Sequence, residues 1–229
     1  MLIAANWKMN LNLKESIDLI DKIIDFDNEN KILIFPSNLN LNAVASSTIN
    51  SKISIGCQNF YSEDEGAFTG EITLSQLPEN VEYVLIGHSE RRNIFKEDNK
   101  LIKQKVKFAI KNNYKIILCV GESLETKENG KTIEFLFQQL DSALDGVDLT
   151  NIIVAYEPIW AIGSGETPTG EEVSKIAKSL TEKYPVPVLY GGSVNEENIS
   201  EFTEQAYIEG VLVGGASLDA ENFKNLASF

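Results

Sequence analysis

The sequence predicts a (β/α)8 barrel, an α/β fold filling one domain over residues 1–229, and three observations lead there. Eight short apolar runs recur along the chain, segments of helical period separate them, and no nucleotide-binding fingerprint follows any run.

The runs are Ile3–Trp7, Ile32–Phe35, Ile53–Cys57, Tyr83–Ile86, Ile116–Val120, Ile152–Tyr156, Val186–Tyr190 and Gly210–Val213. Most are continuously apolar rather than alternating, the pattern of strands covered on both faces in a parallel sheet. Between them, Leu13–Phe26 sets Ile17, Ile20 and Ile24 on one stripe. Asn99–Lys111 does the same with Leu101, Val106 and Ala109, and Gly170–Lys183 with Val173, Ile176 and Leu180. Asn195 before Glu196 and Glu197 reads as an N-cap with an acidic first turn. Such barrels take about 250 residues, close to this length. The competing open, doubly wound sheet needs a glycine fingerprint after a strand. Gly163-Ser-Gly-Glu-Thr-Pro168 opens like one but closes on proline, and there is no P-loop.

Composition narrows the function. A formal net charge of −14 opposes binding to nucleic acid or to anionic membranes, because both are polyanions. No apolar run approaches the ~18 residues of a membrane span. Met1–Lys8 has no basic region ahead of its apolar stretch, so a cytoplasmic protein is expected. Cys57 and Cys119 both lie in apolar runs and are expected to be inert core thiols. One histidine and no CxxC pair leave no support for a metal.

A parallel barrel gathers its strand C-termini at one rim, where active sites lie. Chemistry-capable residues sit at those ends here. The first strand runs into Asn6-Trp7-Lys8, whose lysine can project into the mouth as a point charge, although a lysine there is more often a surface residue. The fourth runs into Gly87-His88-Ser89-Glu90, with Ser89 as candidate cap of a following helix and His88 beside its positive end. The sixth ends at Glu157, before a loop with Pro158 and Pro168 at its ends and Gly163 and Gly165 between them. A carboxylate on rigid backbone ahead of a glycine-bearing loop suits a proton-abstracting enzyme with a closing lid. The seventh and eighth end in Gly191-Gly192-Ser193 and Gly214-Gly215-Ala216-Ser217. Paired glycines let backbone N–H groups approach an anion closely, and phosphate sites of barrels lie after these two strands.

Together, Ala5-Asn-Trp-Lys-Met-Asn10, Ile86-Gly-His-Ser-Glu-Arg-Arg92, Ala155-Tyr-Glu-Pro-Ile-Trp-Ala-Ile-Gly-Ser-Gly165, Tyr190-Gly-Gly-Ser193 and Val213-Gly-Gly-Ala-Ser-Leu218 closely resemble the triosephosphate isomerase family, from Ile3 to about Phe223. The resemblance implies a TIM barrel. It implies isomerisation of dihydroxyacetone phosphate and glyceraldehyde 3-phosphate through an enediolate, with no cofactor. By motif, Glu157 matches the family's base, His88 its electrophile and Lys8 its cation, with Asn6 and Trp7 beside Lys8 and Glu90 as a supporting acid. Gly163, Ser193, Gly214 and Gly215 match the phosphate-holding residues. A carboxylate base, a neutral histidine and a closing loop are what this family is known for, and these roles come with the resemblance rather than from spacing. The family is usually a homodimer, which here would dock through the loop around Gly66–Glu71, with Glu71 a candidate partner of Arg91.

Departures from the family pattern are visible. The chain is short at Asp25–Asn30 and between Lys183 and Pro187, connections expected at the far rim. Glu166 stands in the lid where the family often has lysine, so slower capture of an anionic substrate is expected. The rivals are a barrel that binds phosphate without turnover and another phosphate-binding barrel enzyme such as an aldolase, whose late-strand lysine is replaced here by Glu157.

Overall fold

Eight parallel strands hydrogen-bond in chain order and close into a barrel, β8 pairing with β1. The computed structural model describes residues 1–162 and 166–229. The strands are β1 Leu2–Asn6, β2 Lys31–Phe35, β3 Ser54–Cys57, β4 Val81–Ile86, β5 Lys115–Val120, β6 Ile152–Tyr156, β7 Val188–Tyr190 and β8 Gly210–Val213. All eight runs read from sequence are strands, with bounds shifted by at most two residues. Among the described residues the helices are α1 Leu13–Ile23, α2 Leu41–Ser47, α3 Ser89–Asn93, α4 Asn99–Lys111, α5 Leu124–Glu128, α6 Thr132–Leu144, α7 Gly170–Lys183, α8 Ile199–Thr203 and α9 Ala220–Ala227.

Why the runs are apolar on both sides follows from the two clusters they build. Ala4, Leu33, Phe35, Tyr83, Leu85, Ile117, Cys119, Ala155, Leu189 and Leu212 form one buried cluster, which alternation along the strands places inside the barrel. Their neighbours, such as Ile3, Ala5, Ile34, Val84, Ile116 and Val154, pack outward with Ile20, Val106, Leu140, Val173 and Leu180 from the helices. Each fully buried Val, Leu or Ile contributes about 1.5–3 kcal/mol to that sandwich.

Caps fix where the helices begin. Asn12 and Glu15 form a capping box on α1, as do Thr169 and Glu172 on α7, and Asp98 accepts from Leu101 N at 2.8 Å on α4. Each such cap stabilises its helix by about 1 kcal/mol. Two expectations need correction. The first helix ends at Ile23, and Phe26 N instead bonds Ile23 O at 3.1 Å in a tightened turn. Asn195 does not cap a helix: its Oδ1 accepts from Glu197 N and Asn198 N at 2.9 and 3.1 Å, and α8 starts at Ile199. The side chain satisfies a local turn, which competes with helix for the same amides. The cysteines are free and buried, as expected.

Candidate functional site

A cavity of about 280 Å3 opens at the C-terminal rim, lined by Asn6, Lys8, His88, Glu157, Gly191–Val194 and Val213–Ala216 among others. A larger groove of about 480 Å3 lies at the opposite rim, along residues 23–32 and 46–53, beside the shortened Asp25–Asn30 connection. Its charged lining is Asp25, Asp27 and Lys52 only. Converging acid, imidazole and ammonium groups mark the first cavity, not the larger one, as the site of chemistry.

From β1, Ala4, Asn6 and Lys8 point inward by the two-residue alternation of a strand. Lys8 has φ of 53°, a left-handed conformation uncommon for a lysine. Asn6 Oδ1 accepts from Lys8 N at 3.0 Å, and Gln58 Nε2 donates to Lys8 O at 2.9 Å, so the strained turn is held on both sides. Its ammonium reaches Glu90 Oε1 at 2.7 Å. Trp7 is not brought to the cavity. It falls on the outward phase of the same alternation and is buried between barrel and helices.

His88 itself, rather than Ser89, caps α3: its Nδ1 accepts from Glu90 N at 3.2 Å. An accepting Nδ1 carries no proton, so the neutral ring presents N–H from Nε2, which faces Glu157 Oε1 at 3.3 Å. Glu157, 2% exposed, follows β6 and lays Oε2 on Ser89 N at 3.0 Å. Cys119 from β5 is fully buried near this carboxylate: burial, then the adjacent Glu157 charge, push its thiol well above the usual range. Two glycines make room for this arrangement. A Cβ on Gly121 would fall 1.7 Å from Glu157 O, and one on Gly191 would fall 2.9 Å from Glu157 Cγ.

Gly192, Ser193, Gly214 and Gly215 line the rest of the wall, with Gly214 against the Lys8 side chain. Ser193 Oγ donates to Ala161 O at 2.6 Å, and a 3-10 turn over Gly215–Ser217 starts at the wall. The first N–H groups of such a turn have no partner within it and suit an anion. Gly163 lies outside the described residues, as does the tip of the expected lid at 163–165.

Several residues at this rim were not read from sequence. Glu122, fully buried after β5, accepts from Tyr156 Oη at 3.1 Å and Trp160 Nε1 at 2.9 Å. Burial, then the Glu122 charge, raise the Tyr156 phenol. Lys127 Nζ stands 3.4 Å from the centre of the Trp160 ring. The signal lies in the sequence, where β5 also runs out into a glycine and a carboxylate, Gly121-Glu122. Within the chain Arg91 pairs with Glu97 at 2.6 Å. Among the described residues no cluster of His, Cys, Asp and Glu has the arrangement of a metal site, and no helix is long and apolar enough to cross a membrane.

A family model described as triosephosphate isomerase matches residues 1–229. The triosephosphate isomerase of Alkaliphilus oremlandii is 41% identical over 244 aligned residues, spanning 100% of this chain and 98% of that protein. That of Dehalococcoides mccartyi (strain ATCC BAA-2100) is 43% identical over 239, spanning 99% and 94%, and that of a Picosynechococcus strain is 41% identical over 237, spanning 100% and 98%. A matched model over the full length, with relatives covered almost end to end, means that this chain belongs to the triosephosphate isomerase family.

Proposed function

We propose that this chain is an aldose–ketose isomerase that interconverts dihydroxyacetone phosphate and glyceraldehyde 3-phosphate. The observation that carries the reading is the meeting of Lys8, His88 and Glu157, far apart in sequence, around one cavity whose remaining wall is largely glycine-rich backbone. The reaction needs one base, one polariser of oxygen and a positive charge for the enediolate, and no redox step.

The phosphate sits against Ser193, Gly214 and Gly215, with Gly163 completing its amide donors from the lid. That places the reacting carbons between Glu157 and the pair Lys8 and His88. Glu157 takes the proton from one carbon and returns it to the other. The His88 Nε2–H that now faces Glu157 turns to the substrate oxygens as negative charge develops there, and the Lys8 ammonium stabilises the same charge. Asn6 holds Lys8 in its strained turn, and Glu90 positions both Lys8 and the His88 ring. Pro158–Pro168 closes as a lid, because an enediol phosphate exposed to water eliminates phosphate. Anchorage of Trp160 on Glu122 at the lid's first turn supports that role.

The chain acts as one domain in the cytoplasm and pairs as a homodimer through the loop around Gly66–Glu71. Exposed apolar side chains support the pairing: Phe68 in that loop, and Met9 and Phe95 at a second cavity beside the site. A coupled assay on the wild type and Glu157→Ala tests the reading. We expect interconversion of both triose phosphates and a loss of about 10³-fold or more in the variant. A wild type inert toward both, or a variant at the parent rate, contradicts it.

A further inference from the structure

His88, Ser89 and Glu90 sit on a short segment that Arg92 ties to the barrel. Its Nε donates to Gly87 O at 2.7 Å, Nη1 to Asn99 Oδ1 at 2.8 Å and Nη2 to Cys119 O at 3.0 Å. These bonds join the exit of β4 to the end of β5 and the start of α4. Glu157 N in turn donates to Val120 O at 2.7 Å, so the base hangs from the residue next to Cys119. One guanidinium therefore sets, through β5, the spacing between the Ser89–His88 ledge and the strand end that carries Glu157.

Its partners are unusual in charge. All three acceptors are neutral oxygens, whereas a half-buried arginine ordinarily meets a carboxylate. Its neighbours in the chain and the site are matched: Arg91 with Glu97, and Lys8 with Glu90. Burial lowers the Arg92 pKa, and the Glu157 and Glu97 carboxylates oppose that by attraction. The guanidinium stays charged throughout.

We propose that Arg92 is a positioning residue for proton transfer, locking the ledge against β5 and adding a positive charge, without an ion-pair partner among the described residues, to the wall from which Glu157 hangs. This rests on the reading of Glu157 as the base. The other groups facing Glu157 are His88 and the Ser89 amide from the β4 exit, the Cys119 thiol from β5, and Lys8 across the cavity from β1, whose charge is shared with Glu90. From β7, Gly191 brings no charge.

Asn99→Asp separates charge from structure. The new carboxylate keeps the acceptor for Nη1, adds a counter-ion to Arg92, and stands in the first turn of α4, where an acid is favoured. The readout is kcat/KM for deuterium uptake from D2O into glyceraldehyde, which lacks a phosphate and therefore has no ionisation of its own in this range. We expect the acid limb of that profile to move to higher pH by about half a unit in Asn99→Asp, with melting temperature unchanged or raised. Arg92→Gln should move the limb the same way and lower the plateau about tenfold, while Arg92→Lys keeps the limb in place. A folded Asn99→Asp protein with the wild-type limb overturns the role of Arg92 alone. An inert wild type, or a Glu157→Ala variant of full activity, overturns the base assignment and this proposal with it.

Discussion

Glu157 rests on the machinery it must leave: Oε1 stands 3.3 Å from His88 Nε2 while Oε2 accepts from Ser89 N at 3.0 Å. Both donors belong to the β4 exit, and the carboxylate spans them. In the proposed reaction, substrate competes for the imidazole N–H, so its arrival loosens one of the two contacts at which the base rests. The base is therefore stored in a stable seat and released by the molecule on which it acts.

That seat depends on two glycines with different consequences. In Gly191→Ala the new methyl meets the Glu157 side chain at 2.9 Å, which can rotate away. We expect a folded protein whose kcat/KM falls by about tenfold or more through misplacement of the base. In Gly121→Ala the methyl meets the Glu157 carbonyl at 1.7 Å, where only backbone can yield. A stability loss of about 3 kcal/mol or more is expected, at the upper end of overpacking. Thermal melts alongside rate measurements check the contrast; equal stability of the two variants contradicts it.

Removing residues 163–165 from the proposed lid should divert the intermediate. We expect the fraction of dihydroxyacetone phosphate converted to methylglyoxal to rise relative to isomerisation, because the enediol phosphate meets water. Product analysis by NMR decides it, and unchanged partitioning rules out a protective lid.

The net charge of −14 should be visible in the kinetics. An anionic substrate is repelled at long range, and Glu166 adds a charge of the same sign in the proposed lid. Raising ionic strength from about 0.01 to 0.1 M screens that repulsion, so kcat/KM should climb, by less than about tenfold. A steep fall on added salt shows that the local cations dominate instead.

Burial pushes the Cys57 thiol from 9.0 up to about 12. Between those values the unfolded chain has lost a proton that the folded chain keeps, so stability falls as pH rises above about 9. Melting temperature should drop from pH 8 to pH 11, and less steeply in Cys57→Ala. An equal slope in both proteins removes Cys57 as a cause. The Cys119 thiol, raised in the same direction, accounts for part of what remains.

The barrel was legible because its strands are buried on both faces, and runs such as Ile116–Val120 leave little else to be. The convergence of Lys8, His88 and Glu157 followed from strand order alone, since closure brings every C-terminal strand end to one rim. What escaped was contact between strands. Cys119 reads as plain core, and it lies within the field of Glu157 only because β5 and β6 pair in a register that sets Val120 beside Tyr156. Nothing in the sequence marks Arg92 as a tie between strands; its bonds to Gly87 O and Cys119 O appear only once β4 and β5 lie side by side. Trp7 misled through its neighbours: flanked by Asn6 and Lys8, it faces the other way by the same alternation that brings them in. His88 displaced Ser89 as cap because an imidazole nitrogen can accept an amide hydrogen as a hydroxyl does.

The central claim, that Glu157 moves a proton between two carbons with Lys8 and His88 opposite, is tested most directly by carbon-bound hydrogen exchange. Dihydroxyacetone phosphate incubated in D2O with the wild type should gain deuterium at C1 at a rate comparable to isomerisation, as followed by proton NMR. With Glu157→Ala that uptake should fall about 10³-fold or more while the protein stays folded. Undiminished deuterium uptake by the variant means that another group takes the proton, and the account is wrong.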